Sequence, residues 1–157
     1  MYTTQLPMPL PGSPSHLHTA SPGDWARVLA TFPLFAGVSR RRLRSVVRHA
    51  TVAEHLQGDT VIQRGDSGDW LYVILSGSAS ARGKKAARKL GTGDYFGELA
   101  LLGGVPRTAT VVARSELHVM RLPRKSVLEL LKAAPDISLK MLNVLGSQIR
   151  QLESQAA

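Results

Sequence analysis

The sequence predicts a mainly β protein with flanking α-helices: an antiparallel jelly-roll β-barrel, or β-roll, with N-terminal helices before it and two C-terminal helices after it. Two observations carry this. Short β-prone runs at 51–56, 59–63, 70–75, 78–82, 86–90, 108–113 and 116–122 are separated by Gly-Asp and Ser-Gly turns. Strands at that spacing suit an antiparallel barrel or jelly roll and not a parallel sheet, whose crossovers need long helical connections. Helical periodicity is confined to the two ends of the chain. At 157 residues, one domain with a proper core accounts for the length.

The elements follow in order. Pro7, Pro9, Pro11, Pro14 and Pro22 stand among Gly, Ser and Thr, so residues 1–23 read as a disordered Pro-rich tail that buries too little to repay its ordering entropy. His16 and His18 lie inside it, without the further ligands on a rigid scaffold that a metal needs. A single domain is expected over 24–157. Asp24 is the expected cap of a helix over about 24–31. Phe32-Pro33-Leu34-Phe35 reads as a turn with apolar anchors. Ser39 starts a second helix, with Leu43, Val46 and Val47 inward and the arginines outward. The roll spans about 51–122, with a mobile basic hairpin tip around 82–89. Pro123 suits the first turn of a helix, expected at Ser126–Ala133. Pro135-Asp136 opens the last helix, through about Ser154. Its Ile137, Met141, Leu142, Leu145, Ile149 and Leu152 form one stripe that can pack on the roll, close over a ligand or pair with a second copy.

Composition excludes several chemistries. The absence of cysteine rules out disulfides, thiolate metal sites and a cysteine nucleophile. The first 20 residues lack a basic start and a continuous apolar run, so no signal peptide is expected. No segment approaches the roughly 20 apolar residues of a membrane span, and a cytoplasmic protein is expected. The net charge is +9. The excess gathers at Arg40, Arg41, Arg42, Arg44 and Arg48, and again at Arg82, Lys84, Lys85, Arg88 and Lys89. Such clusters can meet nucleic acid or an acidic membrane, although they are more often solvated faces.

The stretch from Gly93 to Val111 is the most informative. Gly97-Glu98 begins a short apolar helical turn, and Arg107 follows nine residues after Glu98, between Pro106 and a Thr-Ala-Thr strand start. A helix start offers unpaired N–H groups to an anion. Gly97 permits close backbone approach, and Arg107 can grip a phosphate with two parallel hydrogen bonds. Glu98 is an acceptor for sugar hydroxyls.

Phe96-Gly97-Glu98-Leu99-Ala100-Leu101-Leu102, a short spacer and Pro106-Arg107-Thr108-Ala109-Thr110-Val111 resemble the phosphate-binding cassette of the cyclic nucleotide-binding domain family. Gly58–Asp66 resembles that family's early hairpin, and Asp69–Gly77 the strand after it. The resemblance covers roughly 24–153. It implies that Arg107 and the backbone N–H groups of Leu99, Ala100 and Ala109 hold the phosphate, and Glu98 the ribose 2′-hydroxyl. It implies that Ile62 and Ala87 line the base pocket, with Ile149 and Leu152 on a helical lid. Thr108 can reach a guanine amino group, yet relatives with Thr respond to either nucleotide. At the position where some bacterial relatives carry an adenine-reading hydroxyl, this chain has Leu152.

The resulting expectation is a non-enzymatic cyclic nucleotide receptor, bacterial in style, for cyclic AMP (cAMP) before cyclic GMP (cGMP), with helices that move on binding. No catalytic residue, metal or cofactor other than this ligand is expected. The effector protein is unidentified, and a homodimer through the last helix is open. Alternatives are the effector domain of a DNA-binding regulator, for which no helix-turn-helix segment is expected here, or a piece of a channel, kinase or acyltransferase. A degenerate roll acting as an interaction module also remains. A cupin-type metal enzyme would need several converging His, and only His55 and His118 fall in strands.

Overall fold

A computed structural model describes residues 21–84 and 86–156. The expected 1–23 tail therefore lies almost wholly outside the described residues. Two N-terminal helices come first, α1 (Pro22–Leu29) and α2 (Arg40–Val47), with a 3₁₀ turn at Pro33–Phe35 between them. Eight strands follow: β1 (Thr51–His55), β2 (Thr60–Ile62), β3 (Trp70–Ser76), β4 (Ala79–Arg82), β5 (Ala87–Leu90), β6 (Tyr95–Phe96), β7 (Thr110–Ala113) and β8 (Leu117–Pro123). Helix α3 (Glu98–Gly103) interrupts them between β6 and β7, and α4 (Arg124–Ala133) and α5 (Pro135–Ala156) close the chain.

The strands form two four-stranded sheets, in the orders β1-β8-β3-β6 and β2-β7-β4-β5, and every pairing is antiparallel. Tyr72, Ile74, Phe96, Leu117 and Val119 of the first sheet meet Ala79, Leu90, Val111 and Ala113 of the second in one apolar interior. The alternate residues of β3, Leu71, Val73 and Leu75, enter a second core with Trp25, Leu29, Phe35, Leu43, Val127, Leu130 and Ile137. A strand buried on both faces reads as a continuous apolar run, as Leu71–Leu75 does. Each such aliphatic side chain contributes about 1.5–3 kcal/mol on burial, which fixes the helical layer to the first sheet.

Several local expectations shift. Ser21, not Asp24, caps α1. Its hydroxyl accepts from the Asp24 N–H at 3.2 Å while the Asp24 carboxylate accepts from the Ser21 N–H at 3.0 Å, a reciprocal capping box. The helix consequently starts at Pro22, inside the expected tail. Helix α2 is capped by Ser39 as expected. The 58–66 segment is not a hairpin: β1 pairs with β8 and β2 with β7, so the turn at 56–59 carries the chain from one sheet to the other. Strand β6 has no counterpart in the sequence expectation, because two residues carry no period. The basic tip is shorter than 82–89, since Arg82 pairs with Ala87, Ala81 with Arg88 and Ser80 with Lys89; Lys85 lies outside the described residues. Pro123 ends β8 as the N-cap of α4, which therefore begins at Arg124 and not Ser126.

The expected single stripe of α5 divides. Ile137 and Met141 are buried in the helical core, whereas Leu142 and Ile149 remain exposed and Leu145 half-buried. Lys140 ties the helix to the turn below α1 by donating to the carbonyls of Pro33 and Ala36, both at 3.0 Å. Among the described residues no helix is long and apolar enough to cross a membrane.

Candidate functional site

The cavity sits where α3 interrupts the roll. Gly97 precedes that helix in the left-handed region, with φ 89°, and no side chain caps the helix start. Its first N–H groups therefore lack intrahelical partners, and Gly97, Glu98, Leu99 and Ala100 all line a cavity of about 430 Å³. That size suits a small-molecule ligand. Arg107, Thr108 and Ala109 form a second wall, Ile62 and Ala87 a third, and Leu152 of α5 also lines it. Of the residues singled out in the sequence, only Ile149 is not brought to the cavity, and its side chain is 55% exposed.

Arg107 is the central feature. It is 4% exposed, and its guanidinium donates from Nη1 to the Gly97 carbonyl at 2.9 Å and from Nη2 to the Trp70 carbonyl at 3.1 Å. It also lies 5.6 Å from the ring centre of Tyr72, which stacks on Phe96 at 4.9 Å. A guanidinium has five N–H donors, so these two contacts aim the group and leave donors for a ligand. No carboxylate among the described residues lies within 4.0 Å of it. A buried cation without a counter-ion is costly, and an anion entering the cavity removes that cost.

Glu98 carries the opposite charge and is 5% exposed. Burial pushes its carboxyl above the usual range, against a hydrogen bond from its own backbone and the attraction of Arg88 and Arg107. No described cation pairs with it within 4.0 Å. The cavity thus holds a cation and a carboxylate side by side, each unpaired. That arrangement suits a ligand that presents an anion to one and a hydroxyl donor to the other. The nearby Tyr95 hydroxyl is buried without a partner, and burial together with the Glu98 charge pushes it up to about 12.

Sequence reasoning missed several lining residues, among them the polar Arg88, Gln148 and Gln151. Arg88 shares a face of β5 with the buried Leu90, and pleat parity could have placed it inside. Gln148 and Gln151 line the cavity beside Leu152. Gln148 stands one helical turn before Leu152, so helical spacing was the available signal. Its amide nitrogen is buried with no hydrogen-bond partner.

Elsewhere, the two strand histidines do not converge. His118 joins Ser76, at 2.8 Å from Nδ1, to Glu54, at 2.9 Å from Nε2, across three neighbouring strands on the first sheet. His55 is half-buried, and burial lowers its imidazole below the usual value. Among the described residues no group of three or more His, Asp or Glu could hold a metal ion.

Comparison with known proteins identifies the family of the domain. The family model for the cyclic nucleotide-binding domain matches residues 53–134. The chain is 35% identical over 103 residues to a cAMP-dependent protein kinase regulatory subunit of Mycosarcoma maydis, covering 62% of this chain and 20% of that protein. It is 28% identical over 137 residues to a CRP-like cAMP-activated global transcriptional regulator of Mycobacterium tuberculosis, covering 83% of this chain and 61% of the regulator. The chain thus spans less than two thirds of either relative. Among solved structures, cAMP-bound PfPKA-R (141–441) superposes with a TM-score of 0.75 at 26% identity, covering 85% of this chain and 48% of that one.

Proposed function

The chain belongs to the cyclic nucleotide-binding domain family, and from that premise we propose that it is a non-catalytic cyclic nucleotide receptor, with cAMP preferred over cGMP. One observation carries the reading: Arg107 is buried, aimed by two backbone carbonyls and without a described counter-ion, at the wall of a cavity that opens on an uncapped helix start. The cyclic phosphate takes the remaining guanidinium donors and the N–H groups of Leu99, Ala100 and Ala109. The ribose 2′-hydroxyl donates to Glu98. Ile62, Ala87 and Leu152 enclose the base, and Thr108 stands beside the phosphate.

The names of the relatives, a cAMP-dependent kinase subunit and a cAMP-activated regulator, support adenine. So does the unpartnered amide of Gln148, because a carboxamide offers both the acceptor and the donor that the adenine edge requires. This amide would take the place of the hydroxyl that Leu152 lacks.

Binding acts by population shift. A ligand that touches both the roll and α5 favours the state in which the two are close, and so stabilises one arrangement of the C-terminal helices. The output surface is then the exposed apolar side of α5, where Leu142, Leu145 and Ile149 follow helical spacing and could seat a second copy. A cytoplasmic setting and an effector role within a larger regulator fit the same relatives.

Calorimetric titration with cAMP and cGMP, on wild type and Arg107→Leu, tests the reading. We expect cAMP to bind the more tightly, and the substitution to cost at least ~2 kcal/mol, the loss of a charged hydrogen-bonded partner. Absence of binding of either nucleotide to the wild type would overturn it.

A further inference from the structure

The arginines of α2 are not absorbed by the cavity. Arg40, Arg41, Arg42, Arg44 and Arg48 are all exposed, and among the described residues none of their guanidiniums has a carboxylate within 4.0 Å or a hydrogen-bond acceptor. The other side of the helix, Leu43, Val46 and Val47, is buried in the helical core, so this charged face is rigidly presented. The neighbouring α4 adds exposed Arg124, Lys125 and Lys132 against one carboxylate, Glu129.

The placement works against the helix. Arg40, Arg41 and Arg42 fill the first turn, where the macrodipole repels cations, and no acidic residue is present there. Arg40 and Arg44, and Arg44 and Arg48, are like-charge neighbours four residues apart. A local rule broken this often without an internal compensation marks a surface shaped by an external partner.

We propose that α2 is a docking surface for the phosphate backbone of a nucleic acid duplex, bound without sequence preference. Guanidinium matches phosphate bidentately, and successive arginines four residues apart repeat along the helix about every 6 Å. The surface lacks what an anionic membrane or a single strand needs. None of the exposed large apolar side chains lies on α1, α2 or α4, so an anionic membrane would find charge without the hydrophobic anchor that holds a peripheral protein. No described Phe, Trp or Tyr is exposed, so a single strand would find no large stacking platform.

The test is fluorescence anisotropy with a short labelled DNA duplex, the matching single strand, and phosphatidylserine vesicles, each across a salt series. Five phosphate contacts predict a log–log salt slope of roughly −4.5 and a loss of roughly 500-fold in affinity between about 50 and 200 mM salt. Arg40→Gln/Arg41→Gln/Arg44→Gln should make the slope shallower by about 3, one for each arginine. Arg64→Gln/Arg82→Gln/Lys89→Gln removes the same charge from exposed positions on the roll and should leave duplex binding nearly unchanged. Cooperative melting of both variants at or above the wild-type temperature shows that they fold. The proposal is overturned by absence of duplex binding at the lowest salt, by equal losses in the two variants, by tighter binding to the single strand, or by binding to vesicles in place of DNA.

Discussion

A Cβ added to Gly68 would stand 2.0 Å from Nε of Arg107 and 2.1 Å from Cζ. Gly68 is far from the cassette in sequence, yet its missing side chain is the space in which the cassette's guanidinium lies. The same holds from the other side at Gly97, where a Cβ would meet Nη1 of Arg107 at 2.5 Å. Gly97 also has φ 89°, so substitution there adds backbone strain, whereas no positive φ accompanies Gly68.

Gly68→Ala therefore isolates the steric effect. The methyl group must displace the guanidinium from the carbonyls of Gly97 and Trp70. We expect nucleotide affinity to fall by at least about tenfold, or 1.4 kcal/mol, measured by titration calorimetry. If Gly68→Ala binds as tightly as wild type, Arg107 does not hold the ligand from this position.

Glu98 imposes a pH dependence on the ligand-free protein. Its carboxyl is raised from the usual 4.5 by burial, so the folded state holds the proton more firmly than the unfolded chain. That contribution is present in full below about pH 4.5 and is lost as pH rises through the raised value. Glu98→Gln should remove this segment from a plot of melting temperature against pH and raise the melting temperature at neutral pH. It should also weaken cAMP, while 2′-deoxy-cAMP should bind the two proteins alike.

Gln148→Leu tests the lid. The substitution keeps the apolar contact and removes the amide, so cAMP affinity should drop by about 1–3 kcal/mol, as for one lost bidentate base contact, while the ribose and phosphate contacts persist. A loss shared equally by cAMP and cGMP would assign Gln148 to closing the lid and not to reading the base.

Ile149 is 55% exposed on the outer side of α5. If a second copy packs there, Ile149→Glu should shift sedimentation from dimer to monomer and leave nucleotide binding intact, since the residue does not line the cavity. A wild type that sediments as a monomer at all concentrations removes the dimer.

The cassette was legible in the sequence because its parts are local. Glycine, the first helical turn, Glu98 and Arg107 are bound by short-range rules, and ten of the eleven residues expected at the site line one cavity. The Ser39 cap, the outward arginines and the apolar run of β3 were legible for the same reason. Periodicity and caps act within a few residues.

Tertiary structure decided the rest, because those features join residues that are distant in the chain. The 58–66 segment reads as a hairpin locally, yet β1 and β2 find their partners in β8 and β7, in different sheets. The stripe of α5 is uniform in sequence, and only docking on the helical core separates the buried Met141 from the exposed Ile149. Arg107 is marked in the sequence by its spacing from Gly97-Glu98, but only the fold surrounds its guanidinium with Trp70, Gly97 and Gly68. Sequence determined which groups the protein carries and where the backbone bends; burial, which depends on the whole chain, decided which charges stand unpaired in a cavity and are therefore free to meet a ligand.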